Sequence, residues 1–92
     1  MKAVRLTIYG RVQGVGFRFS AKHAADALGI TGFAQNKPDG SVYIEAESGN
    51  EENLEKFVRW CSEGPDFGKV KRIERGDKTY LKPRYHNFSI KY

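Results

Sequence analysis

Polar and apolar residues alternate from the third residue onward. Val4, Leu6, Ile8 and Val12 share one parity, with Gly10 in the gap, and Arg5, Thr7, Tyr9 and Arg11 take the other. A period of two is the pattern of a half-buried strand. The period then changes. In FSAKHAADALG (Phe19 to Gly29), Ala21, Ala24, Ala25 and Leu28 recur at helical spacing, and Gly29 is a stop. Ile30 to Asn36 reads as a second strand, and Val42, Ile44 and Ala46 form the buried parity of a third. Between them lies KPDG, where Pro38 presets a turn and Gly40 supplies a permissive backbone angle, predicting a hairpin.

The second half repeats this grammar. Ser48 and Glu51 have capping-box spacing, and Glu51, Glu52 and Glu55 crowd the first turns of a predicted helix, where its dipole favours negative charge. Leu54, Phe57, Val58 and Cys61 are its apolar stripe, and Gly64-Pro65 ends it. Val70 and Ile73 have opposite parity in a fourth strand spanning Lys69 to Arg75, which predicts a bulge or an irregular edge. Phe88, Ile90 and Tyr92 alternate in a last strand that also takes in His86, after a polar loop containing Pro83. The order is β-α-β-β-α-β, with the fourth and last strands sharing the final place. Two split βαβ units with both helices on one face of an antiparallel sheet make a ferredoxin-like α+β sandwich.

Ninety-two residues make one domain with one modest core, and no repeat, linker or low-complexity tract divides residues 1–92. The lone Cys61 forms no internal disulfide and, lying in an apolar stripe, is expected to pack in the core. No stretch has the signature of a secretory signal or approaches the roughly 20 apolar residues of a membrane span, so the expectation is a soluble, cytoplasmic monomer. The net charge of +5 favours anionic partners without choosing between nucleic acid, acidic protein and a phosphorylated small molecule.

Candidate chemistry is sparse. CxxC, HExxH and clustered carboxylates are absent, which argues against a dedicated metal site. His23 and His86 are isolated and carry no acid–base pattern. The informative stretch is GRVQGVGFR, Gly10 to Arg18, at a strand-to-helix junction. A helix N-terminus attracts anions, glycines let consecutive N–H groups converge, and the Arg18 guanidinium matches phosphate oxygens. No Gly-Lys-Ser/Thr follows, and the third glycine of a dinucleotide fingerprint is missing. Spacing alone leaves open whether Arg18 completes an anion site or faces solvent. In GFAQN, Gly32 to Asn36, the Asn36 amide could hold a water beside a phosphate on the first loop, or serve only as turn chemistry.

GRVQGVGFR followed by GFAQN-KPDG-SV closely resembles the acylphosphatases. The likeness runs through FVRWCSEGP (Phe57 to Pro65) and Lys69-Val70 to the closing FSI at Phe88 to Ile90. The resemblance implies hydrolysis of acyl phosphates to a carboxylate and inorganic phosphate, without metal or cofactor. It implies a phosphate-binding loop of Gln13, Gly14, Val15, Gly16, Phe17 and Arg18, with Arg18 and Asn36 catalytic. Arg18 matches the family's phosphate-binding arginine, and Asn36 the asparagine that orients the attacking water. Gln35 stands where the family often has a basic residue, which implies weaker peripheral attraction of substrate.

Two other readings compete with hydrolysis. Tyr9, Tyr43 and Tyr85 have outward parity and could stack RNA bases on an open sheet. Against that, the third strand reads SVYIEAE, with two acids and no RNA-binding strand signature, so no nucleic-acid partner is expected. A domain that has lost catalysis and serves as a regulatory module is the other, and retention of both Arg18 and Asn36 argues against it.

Overall fold

The computed structural model describes all of residues 1–92. Its elements are β1 (Lys2–Arg11), α1 (Phe17–Leu28), β2 (Thr31–Asn36), β3 (Val42–Ser48), α2 (Glu51–Glu63), β4 (Lys69–Thr79) and β5 (Phe88–Lys91). They form a five-stranded sheet in the order β4-β1-β3-β2-β5. The even-numbered residues of β1 and β3 turn inward, so Leu6, Ile8, Val42, Ile44 and Ala46 are fully buried under the helices. Ala21 and Ala25 of α1 and Leu54, Phe57 and Cys61 of α2 complete that core, as the helical spacing predicts. Burial pushes the Cys61 thiol pKa upward, keeping it an inert packing group.

The last two strands do not share a place. β4 pairs antiparallel with β1 at one edge, whereas β5 pairs parallel with β2 at the other. The sheet is therefore mixed, with four antiparallel strands and one parallel edge. The predicted irregularity lies where β4 meets β1: Tyr9 faces Arg72 and Gly10 faces Val70, so Lys71 is the extra residue. That bulge turns both Val70 and Ile73 toward the core despite their opposite parity. Gly10 is required here. Its φ is +134°, and a Cβ would run into the Lys69 carbonyl. Gly10 thus serves the sheet, not the phosphate loop.

Two further expectations are corrected. The cap of α2 is Asn50, whose side chain accepts from the Asn53 N–H at 3.0 Å. Ser48 is still paired with Lys2 as the last residue of β3, so it sits too early to cap; its Oγ accepts from the Asn50 N–H instead. His86 lies in the loop before β5, because strand pairing with β2 begins only at Phe88. That loop folds over the outer face of β3 and buries Glu47 completely. Oε1 of Glu47 accepts from the backbone N–H groups of Arg84 (2.6 Å) and Tyr85 (2.9 Å).

Candidate active site

The loop between β1 and α1 is built on alternating backbone angles. Gly14 and Gly16 both have φ of +75°, whereas Val15 between them does not enter positive φ. A Cβ at either glycine would meet nothing within 4 Å, so the angle, not crowding, demands glycine. Such alternation turns successive N–H groups toward one point. Gly16 is also the N-cap of α1 and provides no side-chain cap. The helix's first intrahelical bond is Ser20 N–H to the Gly16 carbonyl at 2.9 Å, leaving the preceding N–H groups at the helix start for an anion. No acidic residue occupies this first turn, in contrast to α2, which carries Glu51 and Glu52 there.

Each residue of the loop has a distinct place. Gln13 does not point into the cleft. Its amide donates to the carbonyls of Lys37 (2.8 Å) and Ser41 (2.9 Å), tying the loop to the β2–β3 hairpin. Val15 is half-buried against the core. Phe17 is buried and anchors the helix start, with its ring edge-on to Trp60 at 5.5 Å. Arg18 donates from Nη1 to the Lys91 carbonyl at 2.9 Å, and its guanidinium lies 4.8 Å from the Tyr92 ring centroid.

Asn36 is the last residue of β2, in register with Val42 of β3. The KPDG hairpin is closed by Gly40 N–H to the Lys37 carbonyl at 3.1 Å, and Gly40 has the positive φ expected, +91°. Because Gln13 grips that hairpin, the loop and Asn36 are held in one frame. Gly14, Gly16, Arg18 and Asn36 line a single cleft of about 190 Å³, floored by Val12 and Phe17. That is room for a tetrahedral anion with a few waters, at about 30 Å³ per water. Lys37 donates to Gln35 at 3.4 Å, so a cation stands beside the Gln35 amide.

Ile90 and Tyr92 also line the cleft, and sequence reasoning gave them no role there. Their signal was the alternation of the last strand. It could not be used because the side of the sheet that strand occupies was unresolved. Parallel pairing of β5 with β2 brings Lys91 and Tyr92 to Arg18. No group of three or more His, Cys, Asp or Glu side chains is arranged to hold a metal ion.

Comparison with known proteins gives the family and the fold. The family model described as acylphosphatase matches residues 4–90. An acylphosphatase of Lactiplantibacillus plantarum is 47% identical over 92 residues, covering 98% of each chain. The crystal structure of acylphosphatase from Bacillus subtilis superposes with a TM-score of 0.93 at 40% identity, covering 100% of both chains. The structure of an acylphosphatase from Coxiella burnetii gives a TM-score of 0.87 at 28% identity over 98% of this chain and 92% of that one. With its glycine loop, its arginine and its asparagine on one cleft, and with relatives matching along its full length, the chain belongs to the acylphosphatase family.

Proposed function

We propose that the cleft hydrolyses acyl phosphates by direct attack of water on phosphorus. Family membership supplies the reaction, the cleavage of a carboxyl-phosphate anhydride to a carboxylate and inorganic phosphate. The N–H groups of the Gln13–Arg18 loop and the start of α1 bind the phosphoryl oxygens, and the Arg18 guanidinium neutralises charge that spreads over them in the transition state. The Asn36 amide accepts from and donates to the attacking water, fixing it in line with the P–O bond to the acyl group. A carboxylate leaves readily, so no strong general acid is required. The phosphate's own oxygens take the water proton. The observation that carries this reading is the convergence of Gly14, Gly16, Arg18 and Asn36 on one cleft.

Running the reaction in ¹⁸O-labelled water tests the route. Attack at phosphorus places the label in inorganic phosphate, and a rapid acid quench traps no phosphorylated residue. Label in the carboxylate, or a trapped phosphoprotein, overturns direct attack at phosphorus.

We read the chain as a monomeric, cytoplasmic enzyme without a nucleic-acid partner. The outward tyrosines support the last point. Tyr9 donates to Glu74, and Tyr43 and Tyr85 both donate to Glu45, so their hydroxyl ends are already engaged within the protein.

A further inference from the structure

The phosphate half of the cleft leaves the acyl group unassigned. Four large hydrophobic side chains are strongly exposed in this molecule: Phe19 (63%), Phe67 (80%), Leu81 (103%) and Tyr92 (95%). Two of the four, Phe19 and Tyr92, line the cleft. Tyr92 lies under the Arg18 guanidinium. Phe19 is held by no comparable partner beyond the tilted ring of His23 at 5.1 Å. It also belongs to a second depression of about 580 Å³, shared with Ser20, His23, Ala24 and Trp60. The two depressions therefore meet at Phe19.

We propose that Phe19 and the α1–α2 groove behind it, formed with Ala24 and Trp60, make an acyl-group subsite that selects acyl phosphates with apolar aromatic or medium-chain aliphatic acyl groups. The proposal rests on the acyl phosphate reading of the cleft. Three features support it. The groove shares Phe19 with the wall of the cleft, so that one ring borders both the phosphate side and the apolar side. It contains no residue of the hairpin that carries Asn36, so a chain lying in it leaves the attacking water's side free. It is lined by no carboxylate, lysine or arginine, and His23 is its one ionisable group, so nothing there is built to hold a second anionic end. Acyl groups that carry their own phosphate or carboxylate are disfavoured.

The test compares kcat/KM for acetyl, benzoyl and octanoyl phosphate in the wild type, Phe19→Ala, Phe19→Tyr and Ala24→Glu. The wild type favours benzoyl and octanoyl phosphate over acetyl phosphate. Phe19→Ala lowers the benzoyl-to-acetyl ratio by about tenfold, the size of one lost aromatic contact. Phe19→Tyr restores the ratio, and Ala24→Glu lowers the octanoyl-to-acetyl ratio more than the benzoyl-to-acetyl ratio. Phe19 is exposed, so its removal leaves the fold standing, as circular dichroism of the variant will show. If all three substrates turn over and both ratios are unchanged by Phe19→Ala and Ala24→Glu, the subsite is overturned and hydrolysis stands. If a folded wild type turns over none of them, the hydrolase reading fails and takes the subsite with it.

Discussion

Arg18 is held by the far end of the chain: its Nη1 donates to the Lys91 carbonyl at 2.9 Å, across 73 residues of sequence. The bond uses one donor of a five-donor fork and leaves the others for phosphate oxygens. The Tyr92 ring lies beneath the same guanidinium. Arginine loses little conformational freedom on binding substrate when it is oriented beforehand. Tyr92→Ala is expected to lower kcat/KM about two- to fivefold, matching a cation–π contact of roughly 0.5–1 kcal/mol. The melting temperature stays within a degree or two of wild type, because Tyr92 is exposed. Steady-state kinetics beside a thermal melt check both halves. A large fall in melting temperature with unchanged kinetics would make Tyr92 a packing residue.

The glycines of GRVQGVGFR separate into two classes that substitution should distinguish. Gly16→Ala puts a side chain at φ of +75° in open space. Its cost in stability is about 1–2 kcal/mol, the penalty for a left-handed non-glycine residue. Inhibition by inorganic phosphate weakens with it. Gly10→Ala drives a Cβ into the Lys69 carbonyl and costs about 3 kcal/mol or more. Urea titration of both variants, with the inhibition constant of phosphate for Gly16→Ala, makes the comparison.

The Gln13 side chain joins the loop to the hairpin and does not line the cleft. Gln13→Leu removes two hydrogen bonds, to Lys37 and Ser41, and is expected to cost about 1–3 kcal/mol. The loop then shifts against Asn36, so kcat falls by more than the affinity for inorganic phosphate does. Equal losses in kcat and phosphate affinity would contradict a positioning role and indicate that Gln13 acts on the bound phosphate.

The outer face predicts a weakness at high pH. Burial, and then the hydrogen bond to Glu45, pushes the hydroxyls of Tyr43 and Tyr85 up to about 12, from a usual 10.0. A raised folded value means that the neutral form is favoured in the folded state. The stabilisation is complete below pH 10 and is lost as the pH rises towards 12. Urea midpoints measured from pH 9 to 12 should fall over that window, and Tyr43→Phe with Tyr85→Phe should flatten the fall. An equal slope in the double variant would place the alkaline weakness elsewhere.

Much of this molecule could be read from local patterns. The parity of Val4, Leu6 and Ile8, the spacing of Leu54, Phe57 and Cys61, and the KPDG turn are each set by neighbours in sequence, and each forms as expected. The odd parity of Val70 and Ile73 likewise marked the bulge at Lys71. What local patterns do not carry is partnership between distant segments. Nothing near Phe88 says that β5 pairs with β2, so the parallel edge and the grip of Lys91 on Arg18 were not legible. Capping failed for the same reason at Ser48: strand pairing with Lys2 outweighs a spacing motif. Glu47 falls on the parity opposite to Val42, Ile44 and Ala46. It is buried because a loop nearly 40 residues later folds over it, donating two N–H groups to one oxygen. The loop glycines, Arg18 and Asn36 were legible as residues, through the family resemblance, but Gln13's role as a strut required the geometry.

The most direct test of the central claim is hydrolysis of benzoyl phosphate by the wild type, Arg18→Ala and Asn36→Ala, with inhibition by inorganic phosphate measured for each. Rapid turnover is expected in the wild type. Arg18→Ala should lose about 10²–10³-fold in kcat/KM together with phosphate inhibition, the usual loss for a donor aimed at developing charge. Asn36→Ala should lose about 10²-fold or more in kcat while keeping phosphate inhibition, because it positions water and not phosphate. Turnover within a few-fold of wild type in either variant would contradict the roles assigned to Arg18 and Asn36.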